Sequence, residues 1–210
     1  MKASDLFVKC LEAEGVTKIF GIPGEENADL MISLKKSKIE FVLCRHEQAA
    51  AFMADVYGRL TGKAGVCLAT LGPGVTNLMT GLADANMDRA PVVAIIGQGS
   101  TERLHKESHQ IMDSISMVAP ISKWAQTILS AKNVTEVVRK AFKVAETEKP
   151  GVTVIELPED VAKEEVNENP IKPSLIRRPA ADYRAVNEAI ELIISAKNPI
   201  ILAGNGTIRK

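Results

Sequence analysis

The sequence carries no excess of either charge: 26 lysines and arginines stand against 26 aspartates and glutamates. Without a basic surplus the chain has nothing with which to neutralise a phosphate backbone, which excludes nucleic-acid binding by electrostatic footprint. Long apolar runs are also missing. None approaches the roughly 18–20 residues that span a bilayer, and the first helical stretch carries Asp5, Glu12 and Glu14 where a signal peptide would be apolar. Neither nucleic acid nor membrane is an expected partner, and the chain reads as cytosolic. Cysteines are few: Cys10, Cys44 and Cys67 are odd in number and set in apolar segments, so they read as reduced core residues. There is no G-x-S-x-G elbow, no Walker lysine and no complete G-x-G-x-x-G fingerprint. A protein nucleophile and a dinucleotide site are both disfavoured, so any catalysis would draw on a cofactor.

What the sequence does have is alternation. Apolar periodicity predicts helices over 5–14 (capped by Ser4 and stopped by Gly15), 27–36, 46–60, 75–86 and 134–148. Asn133 and Glu136 have the spacing of a capping box for the last of these. Phe52, Met53, Val56, Tyr57 and Leu60 form the apolar face predicted for the helix over 46–60. Short apolar runs predict strands over 17–22, 39–44, 64–70, 91–96, 121–128 and 152–157, with 39–44 expected to be buried. The fold class implied is α/β, a doubly wound, mostly parallel sheet with helices on both faces. This first domain is placed over residues 1–162. Residues 163–182 read as a linker, charged and containing three prolines. Residues 183–210 offer one helix and a strand over 198–203, too little to bury a core, so they are expected to open a further domain.

In such a sheet, ligands bind outside the carboxyl ends of the strands. Four loops fall there: 21–24, 45–48, 70–77 and 97–110. Gly72-Pro73-Gly74 ends a strand and opens a helix, as a phosphate cradle or as a plain tight turn. Glu47 lies just beyond a strand in the first turn of a helix. It is either a carboxylate placed for the helix dipole, or an acid that hydrogen-bonds a ligand nitrogen and exchanges its proton. His105 and His109 stand four apart without an obvious third ligand, and read as part of a polar loop.

Taken together, Phe20-Gly-Ile-Pro-Gly24, Arg45-His-Glu-Gln48, Ala51-Phe-Met-Ala-Asp55, Tyr57-Gly-Arg59 and Thr70-Leu-Gly-Pro-Gly-Val-Thr-Asn77 have the order and spacing found in thiamine diphosphate enzymes. Among these the chain resembles the large subunits of acetolactate synthases, and His109-Gln110-x-x-Asp113 and Pro158-Glu-Asp160 extend the resemblance over nearly the whole length. The resemblance implies a pyrimidine-binding domain, the first of three. Glu47 matches the family glutamate that hydrogen-bonds N1′ of the aminopyrimidine and favours the tautomer that deprotonates the thiazolium. Pro73 and Asn77 match residues lining the aminopyrimidine pocket. Gln110 matches a glutamine near the reacting centre, and Pro23 and Gly24 match a loop whose backbone approaches the substrate.

The implied reaction is decarboxylation of pyruvate followed by ligation to a second 2-oxo acid. The family holds diphosphate and Mg2+ with a Gly-Asp-Gly motif, which this sequence does not contain. The chain is therefore expected to carry half a site and to be inactive alone. Intact members pair as homodimers or homotetramers near the helix bearing Glu47, and the small residues over 49–54 suit either such pairing or an internal core. Glu25 and His109 replace a glycine and a phenylalanine common in the biosynthetic branch for branched-chain amino acids. Together with Pro120-Ile-Ser-Lys-Trp124 they look more like flavin-independent, catabolic carboligases, which makes FAD a doubtful cofactor and leaves the acceptor open. The alternatives are a 2-oxo acid decarboxylase, a glyoxylate-type carboligase, or a non-catalytic binding module.

Overall fold

The computed structural model describes residues 1–173 and 180–207. The chain divides into two compact units, residues 1–174 and 175–210. The first holds six strands: β1 (Lys18–Gly21), β2 (Glu40–Leu43), β3 (Gly65–Ala69), β4 (Val92–Gln98), β5 (Trp124–Thr127) and β6 (Val152–Pro158). All pair in parallel, in the order β2-β1-β3-β4-β6-β5. Seven helices accompany them: α1 (Ala3–Ala13), α2 (Ala28–Leu34), α3 (Glu47–Thr61), α4 (Pro73–Met87), α5 (Ser114–Val118), α6 (Val134–Glu146) and α7 (Glu159–Lys163).

Side chains alternate across the central strands with period two. Val66, Leu68, Val93, Ile95, Ile155 and Leu157 join one core with residues of α1, α2, α6 and α7. Cys67, Ala69, Ala94, Ile96, Val152 and Val154 join a second core with α3 and α4 on the opposite face. The sheet is thus doubly wound with helices on both faces, as the alternation implied. The chain leaves β1 towards α2 on one face and β3 towards α4 on the other, so the carboxyl ends of β1 and β3 form the topological switch point.

Several local expectations need correction. β2 is an edge strand and not a buried one, with Glu40 and Leu43 exposed, because no strand covers its outer side. The larger apolar side chains of α3 do not face the core: Met53, Val56 and Leu60 are 44%, 50% and 81% exposed. The buried face is Ala50, Ala51, Ala54 and Gly58. Helix α4 and strand β3 approach so closely that nothing larger fits. A Cβ on Gly81 would stand 2.6 Å from that of Ala51, and one on Gly65 would meet the Ala54 carbonyl. Arg59 bridges the two helices, donating to Asp55 at 2.8 Å on α3 and to Asp84 at 3.0 Å on α4.

Ser4 lies inside α1 and accepts from the Ser33 hydroxyl, while the Ala3 amide donates to the Glu164 carbonyl at 2.8 Å. The capping box at α6 does not form, since Glu136 accepts from Thr135 instead. Residues 163–166 run back to the amino terminus, where the Val166 amide donates to the Met1 carbonyl at 2.9 Å. The first unit therefore continues past 162. Part of the expected linker, 174–179, lies outside the described residues, as do the last residues of the chain, 208–210. In the second unit, α8 (Tyr183–Ser195) is capped by the Asp182 carboxylate. The strand expected over 198–203 is not formed, and the described residues of this unit hold no second strand to take its backbone hydrogen bonds. No described helix is long and apolar enough to cross a membrane.

Candidate functional site

Three loops meet at the switch point. The first follows β1 and carries Pro23 and Gly24. The second follows β3 and turns through Gly72 into α4, with Pro73 at its first position, where a missing N–H costs nothing. The third leads from β2 into α3, where the His46 imidazole caps the helix by accepting from the Gln48 amide at 3.1 Å. That cap places Glu47 in the first turn, where aligned backbone dipoles favour a carboxylate.

Glu47 is 8% exposed. Its Oε2 accepts from Asn77 Nδ2 at 2.9 Å, a bond from α4 to α3 across 30 positions of sequence. No hydrogen bond reaches its other oxygen, Oε1, from the described residues. Gly74 opens the space beside that oxygen: a Cβ there would stand 3.7 Å from Oε1. The result is a buried carboxylate fixed at one oxygen, with the other left to accept a hydrogen bond. Such a group can hydrogen-bond a nitrogen of a ligand.

The other predicted residues surround this pair. Gly24 packs against Thr70, where a Cβ would stand 2.5 Å from that of the threonine, and its amide donates to Asn27 Oδ1 at 2.8 Å. Thr70 in turn donates to Glu26 Oε2 at 2.8 Å. Pro23 and Pro73 are exposed at the rim. Gln110 arrives from the opposite side. It adopts φ +55° and its backbone rests on Gly72, itself at φ +56°, where a Cβ would lie 2.6 Å from the Gln110 carbonyl oxygen. The structure thus brings Glu47, Asn77 and Gly74 into contact, and places Gly24 and Gln110 on either side through the 70–74 turn. It does not bring the Gln110 side chain into hydrogen-bond contact with Glu47.

Sequence reasoning passed over Glu26, Asn27, Gln98 and Glu156, and read Gly74 as part of a cradle or tight turn, not as the space beside Glu47. The only local signal of the four polar residues is polarity next to strand ends. The three cysteines are free and buried. Burial pushes the thiols of Cys10 and Cys67 up to about 12, away from thiolate chemistry. His105 and His109 are exposed, and among the described residues no three His, Cys, Asp or Glu side chains converge as a metal site.

A parallel sheet with a buried, half-served acid at its switch point, and a glycine turn beside it, has the arrangement of a ligand-binding α/β domain. Residues 1–117 match the family described as thiamine pyrophosphate enzyme, N-terminal TPP binding domain, and the chain belongs to that family. It is 40% identical to a protein named probable acetolactate synthase large subunit from Methanococcus aeolicus, over 99% of this chain and 36% of that one. It is 42% identical to a catabolic acetolactate synthase from Raoultella terrigena, over 96% of this chain and 36% of the relative. A glyoxylate carboligase from Escherichia coli O157:H7 is 37% identical over 99% of this chain and 36% of its own length. The chain spans about 36% of the length of these relatives.

Proposed function

We propose that this chain forms the aminopyrimidine side of a thiamine diphosphate site in an acetolactate-synthase-like carboligase that uses pyruvate. The observation that carries this reading is the half-satisfied Glu47, held by Asn77 and left open at Oε1 beside Gly74. When bound, the cofactor supplies a nucleophilic carbon and an electron sink for loss of CO2 from a 2-oxo acid. Glu47 accepts the hydrogen bond of a pyrimidine nitrogen and shares its proton. Asn77 keeps the carboxylate from rotating, and Gly74 keeps the space above it clear. Pro23, Gly24 and Pro73 wall the entrance, and Gln110 presents an amide from the far rim. The diphosphate and Mg2+ are assigned to residues outside these 210, because no Gly-Asp-Gly occurs here. The names of the similar proteins, two acetolactate synthases and a glyoxylate carboligase, favour ligation over simple decarboxylation.

The test is calorimetric titration with thiamine diphosphate and Mg2+, on the chain alone and mixed with a chain carrying the Gly-Asp-Gly motif. The mixture is expected to bind more tightly and to form acetolactate from pyruvate, and the chain alone to form none. Glu47→Gln should weaken binding roughly ten- to a hundredfold, the worth of one hydrogen bond to a charged group. Unchanged affinity in that variant would overturn the role of Glu47.

The outward face of α3 supports self-association in the same reading. Met53, Val56 and Leu60 are exposed on one side of the helix that carries Glu47, a clustered apolar surface of the kind that pairs across a two-fold axis. Light scattering should show a dimer that Val56→Glu with Leu60→Glu reduces to monomers.

A further inference from the structure

The segment over 99–113 arches over a cleft of about 340 Å³, and its two ends are held in different ways. Its start is tied to α7: the Thr101 hydroxyl and amide donate to Asp160 at 2.5 and 3.0 Å, and Arg103 donates to Glu159 at 3.2 Å. Its end is tied to the interior at Met112, whose carbonyl accepts from the buried Ser114 amide at 2.9 Å and from a side chain of β4. Gln98, at the close of β4, is 1% exposed. Its Nε2 donates to the Met112 carbonyl at 3.1 Å and to Glu156 Oε1 at 3.0 Å, and its Oε1 accepts from the Gly99 amide. Glu156, on β6 and 4% exposed, is fixed at its other oxygen by the Thr127 hydroxyl of β5 at 2.6 Å. Between the two anchors, His105 and Gln110 adopt φ of +65° and +55°, a strained conformation for non-glycine residues that persists only where the surroundings enforce it.

We propose that Gln98, braced by Glu156, is a positioning residue: it holds the end of the 99–113 segment and thereby seats Gln110 on the Gly72 turn. The geometry is specific to an amide. Gln98 needs two donors on one nitrogen, one for the loop carbonyl and one for the buried carboxylate, and an acceptor for the next amide. A side chain of equal size without donors fills the space, cuts the tie from Met112 to β4 and leaves its carbonyl to Ser114 alone. The proposal rests on the reading of Gln110 as a site residue, but its test needs no cofactor. A failure here therefore leaves the role of Glu47 untouched.

The experiment is limited trypsin digestion of the full chain under native conditions, following cleavage after Lys106, with circular dichroism confirming that each variant is folded. Gln98→Met should speed that cleavage at least tenfold. Glu156→Met, which removes the brace, should do the same. Glu156→Gln keeps an acceptor for Gln98 and should leave cleavage near the parent rate. Thr127→Val loosens the same buried cluster without touching the loop, and should also leave it near the parent rate. Cleavage unchanged in folded Gln98→Met, or accelerated as much by Thr127→Val, overturns the proposal. If Gln98→Met does not fold, the two Glu156 variants decide. A fast Met variant beside a slow Gln variant upholds the assignment, and equal rates reject it.

Discussion

Glu47 and Glu156 are both buried carboxylates in one sheet domain, 8% and 4% exposed, yet their surroundings treat them oppositely. Glu156 receives Gln98 on one oxygen and Thr127 on the other. Glu47 receives Asn77 on one oxygen and no described residue on the other. Glu156 is thus served at both oxygens and ties β6 to β4 and β5, while Glu47 keeps one oxygen that no described residue serves, open to water or to a ligand.

The largest effect should come from removing the open acid. In any preparation that turns pyruvate over, Glu47→Gln should lower turnover by about 10²- to 10⁴-fold, the usual contribution of positioned proton transfer. The same change at Glu156 should leave turnover near the parent value, because Gln98 keeps its acceptor. Equal losses at both positions, measured as initial rates of acetolactate formation, would erase the contrast.

A smaller loss is expected from the turn that leads from β3 into α4. Gly72→Ala places a Cβ at φ +56° and 2.6 Å from the Gln110 carbonyl oxygen, which should cost about 1–3 kcal/mol in urea denaturation. Gly74→Ala is its counterpart. The added Cβ meets nothing nearer than 3.3 Å, so the fold should hold, but it stands 3.7 Å from Glu47 Oε1. That variant should weaken cofactor binding and lower stability less than Gly72→Ala does.

The two acids also differ in how far they could be read from sequence. Glu47 could be placed from local signal, because a strand and an acid in the first helical turn lie close together in sequence, although only the family resemblance chose between a helix-dipole carboxylate and a site acid. Glu156 could not, because its meaning depends on β4 lying beside β6, which brings Gln98 next to it across 58 positions. The same division runs through the fold. Alternating apolar runs gave away the parallel sheet and its two helix layers. They could not tell an edge strand from a central one, so β2 was misjudged. Nor could periodicity choose between the two faces of α3. Phe52, Met53, Val56 and Leu60 have the stronger hydrophobic signal, but close approach of α4 and β3 selected alanine and glycine for the inside.

Asn77→Ala sharpens the comparison from the other direction. It makes Glu47 a buried carboxylate with neither oxygen served by a described residue. Loss of a hydrogen bond to a charged acceptor should cost roughly 1–3 kcal/mol in denaturant titration. Bound cofactor should recover part of this, because a ligand nitrogen still serves Oε1. Recovery absent on saturation with thiamine diphosphate and Mg2+ would mean that Oε1 is not where the ligand sits.

The smallest effect is a pH dependence confined to Glu156. Burial pushes its carboxyl above the ordinary value of 4.5, outweighing the hydrogen bonds from Thr127, Gln98 and Ser114 that favour the ionised form. The folded state therefore holds this proton more tightly than the unfolded chain does. Its contribution to stability is full below pH 4.5 and is lost as pH rises through the raised folded value. Glu156→Gln cannot titrate. Its stability relative to the parent should therefore climb as pH rises above 4.5, then level off once the parent carboxyl is ionised in both states. Denaturation midpoints of the two proteins across that range give the difference directly. A flat difference would mean that the hydrogen bonds at Glu156 fully compensate its burial, and the satisfied acid would then owe nothing to its proton.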